Sequence, residues 1–502
     1  MKKIKLTIGK LWLIAAIMLY FGSIYACKND GNVNDLPSPN ESEYLPAKRE
    51  NVVKILAIGN SFSEDAIENH LYDLAKEAGK EIIIGNLYIG GASLELHLNN
   101  AVANASSYSY RKVTVDGVHK TYPKISIETA IKDEHWDYIS FQQASDFSGI
   151  TETVTTSLPA LQEYVDALKL NPDVKYIYHQ TWAYANNSPH AAFPNYEKDQ
   201  QKMYKAIVET AQKAKSTVPI DLLIPAGTAI QNGRTSVVED NFTRDGYHLD
   251  LKIGRYTAAC TWFEAIFNLP VVGMKYRPAG LNDFETAIAQ NAAHFAVKTP
   301  NEVTVLTEFQ GGNSGPLINS VNLDFGNNDA STGWNQIKSF LTGSNYNLKD
   351  SEDSYVGIKL SITSRFNGVN ADGPNQTETD LNMPEKVSKY AYFGNAKADF
   401  GGMTITESVF ILSGLDKTLS YNLCFFGARG GVSDNRETKY TCEGNNTVSV
   451  ALNTSNNTHK TACANGIKPN AKGEITVTVT AGENNNNSTG FYYLTAARLT
   501  SN

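Results

Sequence analysis

Two short segments, far apart in the chain, carry residues that together could transfer an acyl group. The first is Ile55-Leu56-Ala57-Ile58-Gly59-Asn60-Ser61, an apolar run that stops abruptly at small polar residues. A buried parallel strand reads as such a run, and its carboxyl end is where open α/β sheets present groups to ligands. The second is Asp245-Gly246-Tyr247-His248, directly before a helical pattern from Leu251 to Phe267. On a tight glycine turn, Asp245 and His248 can face one point. The imidazole could then take the Ser61 proton while the carboxylate orients the ring. Each segment alone has a plainer reading, a helix-capping serine and an exposed loop histidine. Their occurrence at opposite ends of one α/β alternation favours the chemical one.

The elements that must hold these residues are legible around them. Apolar residues at Ile67, Leu71, Leu74, Ala75 and Ala78, closed by Gly79, predict a helix over 66–78. Ser61 then lies near a helix N-terminus, whose free N–H groups favour negative charge. Trp136 to Phe141 reads as a strand followed by Gln142-Gln143. Leu158 to Leu170 reads as a helix with Pro159 at its start. Val174 to Tyr178 and Ile220 to Pro225 read as strands, with a helix from Tyr196 to about Lys215 between them. This alternation predicts a doubly wound parallel sheet. His179 and Trp182 fall at its carboxyl edge and are, with His97, either substrate contacts or packed edge residues.

On these residues the chain resembles the SGNH (GDSL-like) hydrolases. Gly59-Asn60-Ser61-Phe62 is similar to their first sequence block and Asp245-x-x-His248 to their last. Gly90-Gly91-Ala92-Ser93 is similar to the second, whose glycine N–H helps to form an oxyanion hole. The third block normally supplies an asparagine side chain; here Gln142-Gln143 stand in its place, a departure. The resemblance covers roughly residues 51–300. It implies a flavodoxin-like α/β sheet, a Ser61-His248-Asp245 triad, and an oxyanion hole from Ser61, Gly91 and the amide of Gln142, with Gln143 second. His97, Gln143 and Trp182 are the candidate substrate contacts, an ester on a polysaccharide or oligosaccharide is the expected substrate, and, with no Cys/His spacing that suggests zinc, neither cofactor nor metal is expected.

Beyond about residue 300 helical periodicity disappears. Gln310 to Pro316 has linker composition, and short β-rich runs separated by Gly, Asn and Asp clusters follow. They predict an all-β sandwich, jelly-roll-like, over 319–502, after a catalytic domain over 51–305 and a linker over 306–318. Trp334, Tyr392 and Tyr440 are either sugar-stacking rings or core. Of the three cysteines there, Cys442 and Cys463 are a candidate bridge in an oxidising compartment. Cys260, in the helix after His248, reads as a buried thiol.

The N-terminus reads as an address. Lys2, Lys3, Lys5 and Lys10 precede an apolar segment from Leu11, and Ile24-Tyr25-Ala26-Cys27 resembles a bacterial lipoprotein signal. Residues 1–26 would be removed, Cys27 lipidated, and 27–50 left as a flexible tether; an ordinary signal cut near Ala26 is the alternative. The expected location is the envelope or surface of a Gram-negative bacterium, with membrane attachment only through Cys27. A formal net charge of −8 over 502 residues, with no basic stripe, argues against a nucleic-acid partner. The expected function is a serine esterase that removes acyl groups, acetyl foremost, from a carbohydrate. A surface glycan-binding lipoprotein with an inactive esterase-like domain and a lipid esterase are the alternatives. The latter would need a long apolar lid that the sequence does not display.

Overall fold

A computed structural model describes residues 51–311 and 315–502. The expected signal segment, Cys27 with its tether, and linker positions 312–314 lie outside the described residues. The α/β part opens with β1 (Val52–Gly59), α1 (Ser61–Ile67), α2 (Leu71–Glu77), β2 (Glu81–Tyr88) and α3 (Leu94–Val102). It continues through β3 (Tyr108–Val113), β4 (His119–Ile125), α4 (Ile127–Ile131), β5 (Tyr138–Phe141), α5 (Thr151–Leu168) and β6 (Lys175–His179). It closes with α6 (Gln200–Thr217), β7 (Leu222–Ile224), α7 (Ala226–Gly233), α8 (Ile253–Phe267) and α9 (Asp283–Lys298).

The sheet order is β4-β3-β2-β1-β5-β6-β7. The five strands from β2 to β7 run parallel, with β1 central and buried along nearly its whole length, as coverage by helices on both faces requires. Separate apolar clusters form on the two sides of the sheet. The sheet is not purely parallel, because β3 and β4 add an antiparallel hairpin at the β2 edge. That hairpin escapes a hydrophobic-pattern reading because β4 is exposed at almost every position. The helix expected over 66–78 is two helices, broken at 68–70, and the first already begins at Ser61. Helix α5 starts at Thr151, seven residues before the expected start, and carries Pro159 in its interior. Buried Val154, Ser157, Leu158, Leu161 and Val165 give it a continuous packed face, which outweighs the one hydrogen bond that proline removes.

The C-terminal part comprises β8 (Val321–Asp324), β9 (Asn335–Gln336), β10 (Asn345–Lys349), β11 (Tyr355–Ser364), β12 (Gly368–Asn370), α10 (Glu385–Ser388) and β13 (Ala391–Asn395). Then come β14 (Glu407–Ser413), β15 (Tyr421–Phe426), β16 (Glu437–Glu443), β17 (Thr447–Asn453), β18 (Ala462–Ile467), β19 (Ile475–Ala481), β20 (Phe491–Leu494) and β21 (Ala496–Ser501). Strands β14-β19-β16-β17 sit in one sheet and β18-β15-β21-β8 in another, and the chain changes sheet at each of β14–β15, β15–β16, β17–β18 and β18–β19. Those crossings are the paired Greek keys of a jelly roll, and one apolar core fills the space between the two sheets.

Strand alternation decides one open reading here and corrects another. Tyr392 and Tyr440 are fully buried core rings, so neither is available to stack on a sugar; Trp334 is partly buried against a small cluster that includes Leu381 and Met383. The disulfide joins Cys424 to Cys463, not Cys442 to Cys463. Cys424 and Cys463 are opposed across β15 and β18 on positions that alternate with the buried ones, whereas Cys442 points into the core as a free thiol.

The two parts meet at Tyr355. Its N–H donates to Glu285 Oε1 (2.9 Å), its carbonyl accepts from Asn282 Nδ2 (2.7 Å) and its hydroxyl accepts from Asn241 Nδ2 (3.0 Å). Burial pushes the Glu285 carboxyl up to about 7, only partly offset by the Tyr355 N–H, and Glu285 Oε2 has no hydrogen-bond partner among the described residues. Folded Glu285 therefore holds its proton more tightly than the unfolded chain does. The associated stability is full at acid pH and falls as pH rises from the ordinary carboxylate range through about 7. Glu285→Gln, which keeps an oxygen acceptor for Tyr355, is expected to flatten that slope. Urea unfolding should show the variant gaining about 1–3 kcal/mol over the parent on going from acid to mildly alkaline buffer.

Candidate active site

The Ser61 turn is built at the end of β1. Gly59 tolerates no side chain, since a Cβ there would collide with Ser63 Oγ. Asn60 caps α1, accepting from the Phe62 N–H at 2.9 Å, and its Nδ2 donates to the Ala92 carbonyl at 3.0 Å. That second bond ties the Ser61 turn to the Ile89–Ala92 turn, in which Ala92 N donates to Ile89 O (3.2 Å) and Gly91 has φ +66°. A positive φ at the third position of such a turn selects glycine. Ser61 is the first residue of α1, so its N–H has no acceptor within the helix. Among the described residues, neither the Ser61 nor the Gly91 N–H has a hydrogen-bond partner.

The Asp245–His248 loop meets this turn from 187 positions away. His248 Nε2 lies 2.9 Å from Ser61 Oγ, and His248 Nδ1 lies 2.6 Å from Asp245 Oδ2. With the proton on Nδ1 donated to the carboxylate, Nε2 presents a lone pair to the serine hydroxyl. Asp245 Oδ1 also accepts from the backbone N–H groups of Tyr247 (3.1 Å) and His248 (2.7 Å). Burial raises the Asp245 carboxyl, but the His248 ring and these two N–H donors outweigh it and hold the group below the usual carboxylate range. The turn requires Gly246, which has φ +91° and sits so close to Ser188 and Pro189 that a Cβ would approach the Ser188 Cα to 2.8 Å.

Asp65, one helical turn after Ser61, joins the two segments. Its side chain is wholly buried. It accepts from the Leu249 N–H (2.9 Å), from Arg244 Nη1 (3.0 and 3.1 Å), and from Arg255 Nε (2.8 Å) and Nη2 (2.7 Å). Its three partners bracket His248 in sequence. An aromatic stack supports the same junction: Phe62 lies on Trp182 with ring centroids 4.3 Å apart, and Trp182 Nε1 donates to the Tyr247 carbonyl at 2.7 Å.

The structure thus brings Ser61, His248 and Asp245 together and places Gly91 on a turn bonded to the nucleophile turn. Four other expected site residues take different positions. Gln142 is buried beneath Asn60, donating from Nε2 to Asn60 Oδ1 (2.7 Å) and accepting from His179 Nδ1 (2.8 Å), so its amide braces the cap. Gln143 is buried too, accepting from the Leu94 and Ala144 N–H groups and donating to Thr153. His97 is a core residue bonded to the Tyr108 hydroxyl (2.8 Å), and burial lowers its imidazole to about 3. Trp182 is fully buried under Phe62. Gln142, expected as an oxyanion donor, and Gln143 and Trp182, expected as substrate contacts, have their polar atoms bonded into the frame around the Ser61 and His248 turns, and His97 is bonded to Tyr108. Asp65, Arg244 and Arg255 were missed by sequence reasoning; an acidic residue on the apolar stretch after Ser61 was the available signal.

The fold and this junction define the class: a flavodoxin-like α/β domain of the SGNH type, with strand order β2-β1-β5-β6-β7, followed by a jelly roll. Residues 54–296 match a family described as a domain of unknown function, DUF4886. The chain is similar to a crystal structure of a DUF4886 family protein from Bacteroides uniformis, with 50% sequence identity over 51% of this chain and 99% of that one, at a TM-score of 0.51. The chain belongs to the DUF4886 family. More distant likenesses are a GDSL-like lipase from Bacteroides thetaiotaomicron (15% identity, 45% of this chain, 90% of that one, TM-score 0.27) and an acetyl xylan esterase from Geobacillus stearothermophilus (11%, 43%, 93%, 0.28). No curated protein matches the sequence.

Asp65→Asn leaves two guanidinium groups facing a neutral amide in a buried place. It is expected to destabilise the α/β part by about 3–5 kcal/mol, read from denaturant midpoints. At temperatures where the variant is folded, the loss of turnover should exceed any change in KM, because the substitution acts on the spacing between His248 and Ser61.

Proposed function

We propose that this protein is a serine esterase that removes small acyl groups, acetyl foremost, from a carbohydrate. The observation that carries the reading is the unbroken chain Ser61 Oγ, His248, Asp245, with Nε2 and Nδ1 at 2.9 and 2.6 Å from their respective partners. In this reading Ser61 Oγ attacks the ester carbonyl carbon as its proton passes to His248 Nε2. The carbonyl oxygen becomes an oxyanion near the unpartnered N–H groups of Ser61 and Gly91. Collapse breaks the bond to the sugar oxygen, which takes the proton from His248 and leaves as a hydroxyl. Water then repeats the sequence on the acyl-serine, releasing the carboxylic acid and restoring Ser61. Asp245 fixes the tautomer and stabilises the imidazolium at both stages.

A second reading, glycan binding without turnover, draws on one observation. The Gln142 amide faces Asn60, and this leaves two backbone N–H groups as the oxyanion donors. Losing one donor of a hole typically costs about 10²–10³ in turnover and does not abolish it, so the esterase reading is favoured. We also propose attachment to a membrane by lipid on Cys27. Among the described residues no helix is long and apolar enough to cross a bilayer.

On p-nitrophenyl acetate, Ser61→Ala and His248→Ala are each expected to lower kcat by about 10⁴–10⁶ with an unchanged circular dichroism spectrum. Asp245→Asn should cost about 10⁴, since an amide cannot hold the proton on Nδ1. A wild-type protein inert on short acyl esters, yet retained by polysaccharide, would favour the second reading. For the anchor, Cys27→Ala should move the protein from the membrane pellet to the supernatant, and unchanged recovery in the pellet would count against it.

A further inference from the structure

Strand β8 ends on an acid that the rest of the sandwich leaves uncompensated. Val321 and Leu323 point into the apolar core, so Asp324, of opposite parity, lies on the other face of the sheet, where it is nonetheless fully buried. Asp324 Oδ2 accepts from Asn328 Nδ2 (2.9 Å), whereas Oδ1 is buried without a hydrogen-bond partner among the described residues. Burial pushes the carboxyl up to about 7, offset only by the Asn328 amide, and among the described residues no lysine or arginine balances it. Asn328 Oδ1 is likewise buried and without a partner. Its assignment as the oxygen follows from Nδ2, which donates to Asp324 and to the Asp329 carbonyl (3.1 Å).

The two orphaned oxygens face one place. A Cβ on Gly326 would meet both, colliding with Asn328 Oδ1 and approaching Asp324 Oδ1 to 3.3 Å, with Tyr390 Cβ 2.8 Å away. Two buried acceptors that converge with no donor between them are costly unless something positive joins them. Gln336, opposite Asp324 in the β8–β9 ladder, adds a third incomplete group, since its Nε2 is buried and donates to nothing among the described residues. Turning that amide over would replace an unsatisfied donor by an oxygen. On the turn between the two orphans, the Gly326 and Asn327 carbonyls accept no hydrogen bond among the described residues.

We infer that Asp324 and Asn328 hold a calcium ion, which ties the loop after β8 to the end of that strand. The donor set selects the metal. The available atoms are oxygens, one group of them a carboxylate, which suits a hard cation. Among the described residues no group of three or more His, Cys, Asp or Glu side chains gathers to suit a transition metal. Magnesium demands near-ideal octahedral geometry, whereas calcium accepts a flexible shell of carboxylate, amide and main-chain oxygens completed by water. A single carboxylate places the site at the weak end of calcium affinities, with a dissociation constant of about 10⁻⁴–10⁻³ M. The inference concerns the sandwich alone and does not rest on the esterase reading.

Thermal unfolding of the full-length protein, stripped with EDTA and dialysed, tests this. Calcium chloride at about 10 mM, roughly 10–100 times that constant, is expected to raise the melting temperature of the sandwich by about 3–10 °C, and magnesium chloride by much less. Terbium, which takes the same oxygen ligands, should luminesce when the tyrosines are excited, with Tyr390 beside the site, and calcium should quench the signal. Asp324→Asn and Asn328→Ala, each checked by circular dichroism, should lose both the calcium shift and the terbium signal. A wild-type protein that melts identically with and without calcium and gives no terbium luminescence would overturn the site. A calcium shift that both variants keep would place the ion elsewhere and overturn it too. So would a wild-type protein indifferent to calcium whose gain in stability on acidification is lost in Asp324→Asn, because a proton would then join the two oxygens.

Discussion

The buried carboxylate of Asp65 is the constraint from which the rest of the site follows. A carboxylate with no exposed surface is costly unless its oxygens are filled by good donors, and here two guanidinium groups and a backbone N–H fill them. Because Asp65 rides on the same short helix as Ser61, while its donors at 244, 249 and 255 enclose His248, satisfying one buried charge fixes the distance between Ser61 and His248. Packing of Phe62 on Trp182 and the bond from Trp182 to the Tyr247 carbonyl repeat the constraint from the other side of the loop. The contacts among Ser61, His248 and Asp245 are local. Their geometry is imposed by a charge one turn away.

This division explains what could be read in the chain beforehand. The strand ending at Gly59, the Asp245–His248 turn and the alternation of strands and helices are local patterns of apolar residues and turn signals, and they are legible one segment at a time. So is the change to short strands after residue 300. What escaped was set by partners distant in sequence. Gln142 looked like an oxyanion donor because it follows a strand at the right place, but Asn60 Oδ1 and the His179 ring occupy its amide. His97 and Trp182 sit next to edge residues in sequence and yet point inward. The hairpin β3–β4 lacked a core face to announce it, and the start of α5 was hidden by a proline that the packed face tolerates.

Strand parity made the same point in the jelly roll. Cys442, Tyr392 and Tyr440 all occupy inward positions of their strands, where the buried environment decides their role as core. Cys424 and Cys463 occupy the alternate positions of neighbouring strands and meet across them. Composition alone treats the three cysteines as equivalent. A period of two residues separates them, and register then leaves one pairing.

The jelly roll bears on the site through the loop that carries His248. Segment 234–255 is held at its far end by Asp65. Near its start it is held by the ion pair between Arg234 and Asp240 at 2.9 Å and by the bond from Asn241 to the hydroxyl of Tyr355 on the sandwich. Loops at the carboxyl edge of a sheet are ordinarily among the least stable parts of a domain, and a base carried on one would wander from its nucleophile. Here the loop is fastened to helix α1, which carries Ser61, on one side and to a second domain on the other. That second domain is itself fixed through the main chain of Tyr355 to Asn282 and Glu285. The sandwich is therefore more than a module delivered by a tether. It buttresses the loop that carries His248, so a change in packing at Tyr355 is passed toward the Ser61–His248 contact through a single short stretch of chain.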